Sequence, residues 1–227
     1  MAPTEARQQG VAAYYYLHPL LAGPLNEWER HFARISAMEF DGIVLAPLFA
    51  PLFPSGPGEN LFASVDHRRL HPELGGGDAL TALAAIRECA AGYRLSLMVD
   101  LALAADGPIE PWSGLLGEWL EAGIAGFRCH AAHHVRPGIW RHLIAAARAR
   151  HPRALFLAFT HGGAPEAVAG LVGCGFDGAA SSSCWWDFRA GWIDEDAARV
   201  EALGPVMALA EPLFGDRAAA MGTNPIE

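Results

Sequence analysis

Short apolar runs alternate with amphipathic segments along most of the chain, and this alternation constrains the fold more than any other feature. The apolar runs predict seven strands, at residues 11–18, 42–48, 95–103, 126–130, 154–160, 176–181 and 206–210. The segments between them predict six helices, at residues 25–38, 78–91, 112–122, 137–150, 165–172 and 187–203. Strands and helices in this order are typical of an α/β fold with a parallel sheet.

The size and composition of the chain favour one globular domain. A length of 227 residues is within the range of a single hydrophobic core, so we expect residues 1–227 to form one domain. The sequence is 52% hydrophobic and only 18% charged, which suits a large core and excludes a disordered tail.

The charge balance and the residue types exclude several classes of protein. A net charge of −9 argues against a nucleic-acid binder, since such proteins carry basic stripes. No lysine is present, which rules out Schiff-base and P-loop lysine chemistry. The four cysteines have no CxxC spacing, the first residues lack a secretion signal, and residues 42–58 carry four prolines that would break a membrane helix. We therefore expect a cytoplasmic protein with no cofactor, no bound metal and no membrane segment.

Polar side chains stand near the ends of three predicted strands. They are Asp100 in LMVDLAL, Arg128 and His130 in GFRCH, and His161 after LFLAFT. Because alternate residues of a strand share a face, Arg128 and His130 point one way and Cys129 the other. A buried guanidinium needs an anion, and Asp100 on the neighbouring strand is the natural partner. A purely structural ion pair and ordinary loop histidines remain open alternatives.

The stretch from about residue 37 to 192 resembles the α-amylase superfamily, glycoside hydrolase family 13. It is most similar to the maltosyltransferases that extend α-1,4-glucans from maltose 1-phosphate. The resemblance is carried by the following segments: MEFDGIVLAPLF, VDHRRLHPELGGGDAL, LMVDLAL, AGIAGFRCHAAHHVRPGIWRHLI and HPRALFLAFTHG. It implies a (β/α)8 barrel of the TIM type and a glucan or oligosaccharide as ligand.

The resemblance also assigns roles to individual residues. Asp100 and Arg128 match the family's site-ordering Asp and its arginine, whereas His130 stands at the position of the nucleophilic Asp and Phe159 at that of the acid/base Glu. Retaining glycosidases need two carboxyl groups about 5–5.5 Å apart, and neither His nor Phe supplies one. The resemblance thus implies an α-glucan binding or processing domain without the standard catalytic pair.

Two further departures from the family concern the barrel itself. Only residues 104–111 separate the third barrel strand from the next helix, which leaves no room for an inserted domain, and the family's late His-Asp motif is absent. We therefore expect a barrel that is incomplete or truncated near its eighth strand. Its open edges predict association with a partner or with a missing remainder of the chain.

Aromatic side chains are expected at the mouth of the barrel, where their rings could stack on sugars or fill the core. They are Tyr14, Tyr15, Tyr16, Phe49, Phe53, Phe62, Trp185 and Trp186. Together with Asp100, Arg128, His130 and His161, the two tryptophans are the candidate substrate-binding residues.

Two other functions remain open. An active carbohydrate enzyme would use other carboxylates, and the candidates are Asp66, Asp106, Glu110, Asp187 and Glu211. A metal-dependent barrel hydrolase would use Asp100 and His161 with His130 and either His133 or His134 as zinc ligands.

Overall fold

The computed structural model describes residues 12–52, 62, 65–103 and 109–207. Its strands are β1 (Tyr14–Leu17), β2 (Gly42–Leu45), β3 (Phe49–Pro51), β4 (Val65–Leu70), β5 (Ser96–Ala102), β6 (Gly126–His130), β7 (Leu155–Phe159), β8 (Gly178–Ala180) and β9 (Val206–Met207). Its α-helices are α1 (Pro19–Ala22), α2 (Glu29–Ala37), α3 (Ala79–Gly92), α4 (Glu110–Glu121), α5 (Pro137–Arg150), α6 (Pro165–Ala169) and α7 (Trp192–Glu201).

Seven of these strands form one parallel sheet in the order β1-β2-β5-β6-β7-β8-β9. Apart from the skipped hairpin β3-β4, neighbours in the sheet are consecutive in the chain, which is the strand order of a β/α barrel. The sheet is curled into part of a barrel, with β1 and β9 at its two ends. The predicted α/β fold, TIM-barrel-like and incomplete, is confirmed.

The two faces of the sheet bury different sets of side chains. On the outer face, Ile43, Val99, Phe127, Cys129 and Phe156 pack against the helices in the main hydrophobic core. The inner face carries a smaller apolar cluster built on Val44, Met98 and Leu157, with Tyr14, Leu155 and Met207 at its margin. This alternation confirms that Cys129 and Arg128 point to opposite faces of β6.

A close contact between β6 and β7 requires glycine at position 126 of the inner face. A Cβ atom on Gly126 would overlap the carbonyl oxygen of Leu155 on the neighbouring strand. The absence of a side chain there lets β6 and β7 approach in the register that places Arg128 beside Leu157.

The connection between β2 and α3 carries a hairpin. β3 and β4 form a two-stranded antiparallel sheet, and the ring of Phe49 stacks on that of Trp119 in α4 with centroids 5.2 Å apart. Proline and glycine dominate residues 54–58, which lie outside the described residues, and this composition concealed the strands on either side.

The last predicted helix begins later than expected. We predicted it from residue 187, but the carboxylate of Asp187 accepts hydrogen bonds from the backbone nitrogens of Arg189 and Ala190 and closes a turn. The helix α7 starts at Trp192 with Gly191 as its N-cap. The first predicted helix, at residues 25–38, is similarly split, since a 3-10 turn at Leu25–Glu27 precedes α2.

Within the described ranges, no helix is long and apolar enough to span a membrane.

Candidate functional site

The centre of the candidate site is an ion pair on the inner face of β5 and β6. Parallel pairing places Asp100 directly beside Arg128. The guanidinium donates twice to the carboxylate, from Nε to Oδ1 and from Nη2 to Oδ2, both at 2.5 Å. The side chain of Asp100 is fully buried and that of Arg128 is 13% exposed. The predicted pairing of these two residues is thus present in the structure.

Tyr16 of β1 completes the environment of this ion pair. Its hydroxyl donates to Oδ2 of Asp100 at 2.8 Å, and its ring centroid lies 4.2 Å from the guanidinium carbon of Arg128. Burial of the hydroxyl raises the pKa of Tyr16, and the charge of Asp100 raises it further, so the phenol keeps its proton and acts as a donor. Burial alone would lower the pKa of Arg128, but the charge of Asp100 outweighs it and the pKa lies above its ordinary value.

A stack of rings covers the ion pair. The guanidinium carbon of Arg128 lies 4.4 Å from the centroid of the Phe159 ring. The Phe159 ring is nearly parallel to that of His130, with centroids 5.7 Å apart, and the Phe62 ring stacks on His130 at 4.0 Å. Aromatic rings therefore occupy the space beside the two positions that the resemblance assigns to the catalytic carboxylates.

His130 is held as a neutral imidazole in this stack. Burial lowers its pKa below the ordinary value, and Asp100 opposes this shift only in part. Its Nδ1 atom is buried and makes no hydrogen bond with any described residue. A neutral ring between two phenylalanines provides neither the negative charge nor the second oxygen of a carboxylate.

The other candidate histidines lie around the same end of the sheet. The His161 ring contacts Phe159 at 4.3 Å and Trp185 at 5.1 Å. The rings of His133 and His134 contact each other at 4.2 Å, and burial lowers the pKa of His133. In the described part of the chain, no three His, Cys, Asp or Glu side chains are grouped so as to hold a metal ion. The zinc hydrolase hypothesis gains no support from this geometry.

Three of the aromatic residues expected at the mouth lie elsewhere. Tyr14 packs beside the inner apolar cluster. Tyr15 lies on the opposite face, where its ring contacts Phe40. Phe49 is buried against Trp119. The prediction was wrong for these residues because an aromatic run gives no information on the face or depth of each ring. Phe53 lies outside the described residues.

The alternative carboxylates either accept hydrogen bonds from nearby backbone nitrogens or lie outside the described residues. Asp66 accepts from the backbone nitrogen of Arg68, and Asp187 closes the turn before α7. Asp106, Glu211 and the side chain of Glu110 are outside the described residues.

The two candidate tryptophans follow β8. Trp186 donates from its indole nitrogen to the carbonyl of Ala190, and Trp185 is 41% exposed.

Sequence reasoning missed the contribution of Tyr16 to the ion pair. Tyr16 was expected at the mouth only as a stacking ring, whereas its hydroxyl binds Asp100. The signal was the alternation in β1, which puts Tyr14 and Tyr16 on the inner face, but the register that brings Tyr16 to Asp100 depends on the curvature of the sheet.

Comparison with known proteins agrees with the fold and with the sequence resemblance. No protein-family model matches the chain. An α-1,4-glucan:maltose-1-phosphate maltosyltransferase from Burkholderia pseudomallei is 24% identical over 95% of this chain, which spans 23% of that protein. The predicted resemblance to the α-amylase superfamily is confirmed. This α-amylase-like chain therefore matches about a quarter of the length of that relative.

Solved structures show the same likeness in the fold. An α-amylase from Lactobacillus plantarum superposes with a TM-score of 0.66 at 18% identity, over 87% of this chain and 61% of the other. A maltogenic α-amylase from Thermotoga neapolitana gives a TM-score of 0.63 at 14% identity, over 87% and 57% of the two chains. The α-amylase-like chain thus spans less than two thirds of each of these structures.

Proposed function

We propose that this chain is an α-glucan-binding domain of the α-amylase type that binds its sugar without cleaving it. The observation that carries the proposal is the pair of rings of His130 and Phe159, which lie side by side. The resemblance assigns these two positions to the family's catalytic carboxylates. Cleavage with retention needs a nucleophile on one side of the glycosidic bond and a proton donor on the other. The two rings supply neither group.

The resemblance assigns the supporting roles of the site to Asp100 and Arg128. Asp100 and Arg128 form a bidentate ion pair with Tyr16 bound to it, which keeps the inner face of β5 and β6 in a fixed arrangement. The related maltosyltransferase is named for its action on an α-1,4-glucan. A domain with this framework and without the reactive groups could still bind sugar at the rim of the sheet.

Binding at the rim follows from the occupied mouth. Phe62 and Phe159 lie against His130, so a glucose ring has no place beside that residue. Trp185, which is exposed and in contact with His161, and Tyr16, which is 41% exposed, offer rings to a sugar chain outside the stack. Asp100 and Arg128 would then support the rim instead of contacting a scissile bond.

Affinity electrophoresis tests the proposal. Migration of the protein through a gel containing soluble amylose should be retarded, and a gel containing dextran, an α-1,6-glucan, serves as the control. Trp185→Ala should reduce the retardation. Equal migration in gels with and without amylose would contradict glucan binding.

A further inference from the structure

The segment from Trp185 to Ala190, called here the aromatic turn, lies beyond the ion pair and is not explained by it. It follows β8 through a 3-10 turn at Ser182–Trp185 and ends just before α7. Because it leaves the carboxyl end of a parallel strand, it belongs to the same end of the sheet as Arg128 and His130.

Hydrogen bonds fix the aromatic turn in one conformation. The Asp187 carboxylate accepts from the backbone nitrogens of Arg189 and Ala190, both at 2.9 Å. The indole nitrogen of Trp186 donates to the carbonyl of Ala190 at 2.7 Å. The backbone of Phe188 has φ of 63°, a left-handed conformation that bulky residues rarely adopt. The turn therefore holds the Phe188 ring in place at a backbone position unfavourable to it.

The ring that this turn presents is exposed to solvent. Phe188 is 81% exposed, although its centroid lies 4.8 Å from that of Trp186. Exposure of an apolar ring to water does not stabilise the fold. A turn of this kind would form more easily with a polar residue or glycine at its left-handed position. Packing within the described chain does not account for Phe188.

The position of the turn and its charge indicate what binds there. Trp185 contacts His161, which contacts Phe159 over Arg128, so rings lead from the ion pair to the first residue of the turn. The only acidic group of the turn, Asp187, is bound to backbone nitrogens. The turn therefore presents exposed aromatic rings at the same end of the sheet as the site. Such rings suit the C–H faces of a sugar, since these carry partial positive charge toward the electron-rich face of an aromatic ring.

We propose that Phe188, whose ring packs on Trp186, is a stacking platform for a glucose unit of a bound α-glucan. This inference rests on the proposed function and specifies where the glucan is held. The preformed turn lowers the loss of conformational entropy on binding, because the ring is already oriented before the sugar arrives.

Titration calorimetry with maltoheptaose tests the platform. Phe188→Ala should weaken binding about ten-fold, which corresponds to about 1.4 kcal/mol. Phe188→Trp keeps an aromatic ring and should bind as strongly as the unchanged protein. Val172→Ala is the matched control, because Val172 is 50% exposed on the turn that precedes β8, at the opposite end of the sheet. Circular dichroism should show the same fold for all variants.

Each outcome separates this inference from the proposed function. Binding by the unchanged protein that is equally strong in Phe188→Ala would overturn the platform and leave glucan binding in place. No binding by the unchanged protein would overturn both. A dimer in sedimentation that becomes a monomer in Phe188→Ala would assign the surface to a second copy of the chain and overturn the platform.

Discussion

Removing the carboxylate of Asp100 should destabilise the protein strongly, because it leaves the guanidinium of Arg128 without its anion. Asp100 is fully buried and Arg128 is 13% exposed, so little water can replace the lost partner. Breaking a buried ion pair on one side costs about 3–5 kcal/mol. The hydroxyl of Tyr16 also loses its acceptor. The rings of Tyr16 and Phe159 contact the guanidinium already in the unchanged protein, so they do not offset this loss. We expect Asp100→Ala to lose about 3 kcal/mol of unfolding free energy.

A double-mutant cycle isolates the pair itself. Arg128→Met should also destabilise, and the double variant Asp100→Ala with Arg128→Met should lose less than the sum of the single losses, by about 1–3 kcal/mol. Urea denaturation followed by tryptophan fluorescence gives each free energy. The bidentate pair of Arg68 and Glu118 is the control, since its arginine side chain is 64% exposed, and its cycle should show little or no coupling. Additive losses at Asp100 and Arg128 would refute the reasoning.

Two further predictions concern stability at other positions. Burial among Phe49, Trp112 and Trp119 lowers the pKa of His67 from 6.5 to about 4. The unfolded chain therefore binds the proton first, and the free energy of unfolding falls as the pH drops from about 6.5 towards 4. His67→Phe should remove about 2 kcal/mol of the stability loss between pH 7 and pH 5. If the difference between the urea midpoints at these two pH values were the same in the variant, the prediction would be contradicted. Ala131 has φ of 45° directly after β6, and Ala131→Gly should stabilise the protein by about 1 kcal/mol in thermal unfolding, whereas a loss would show that the left-handed backbone is not strained.

Periodicity in the sequence was sufficient to predict the parallel sheet. The run GFRCH predicts a strand whose alternate residues face opposite ways, and the structure places Cys129 in the outer core and Arg128 on the inner face. The pairing of Arg128 with Asp100 followed from the same alternation together with the requirement that a buried guanidinium have an anion.

Contacts that depend on distant segments could not be predicted in this way. The bond from Tyr16 to Asp100 joins residues 84 positions apart and depends on the curvature of the sheet. The hairpin of β3 and β4 depends on pairing across a proline-rich segment, and the stacking of Phe49 on Trp119 follows from that pairing. The exposure of Phe188 depends on Asp187 closing a turn, whereas the sequence pattern predicted that a helix begins at this residue.

The most direct test of binding without cleavage is one incubation that measures both. Maltoheptaose labelled at its reducing end is incubated with an excess of the full chain, and the bound fraction is measured by ultrafiltration. The sugar is then recovered and its length is measured by chromatography. A parallel sample contains maltose 1-phosphate to detect chain extension. The account predicts that the sugar binds and is recovered at its original length in both samples, since His130 and Phe159 provide no carboxylate pair. Shortened products, or products longer by maltosyl units, would contradict it.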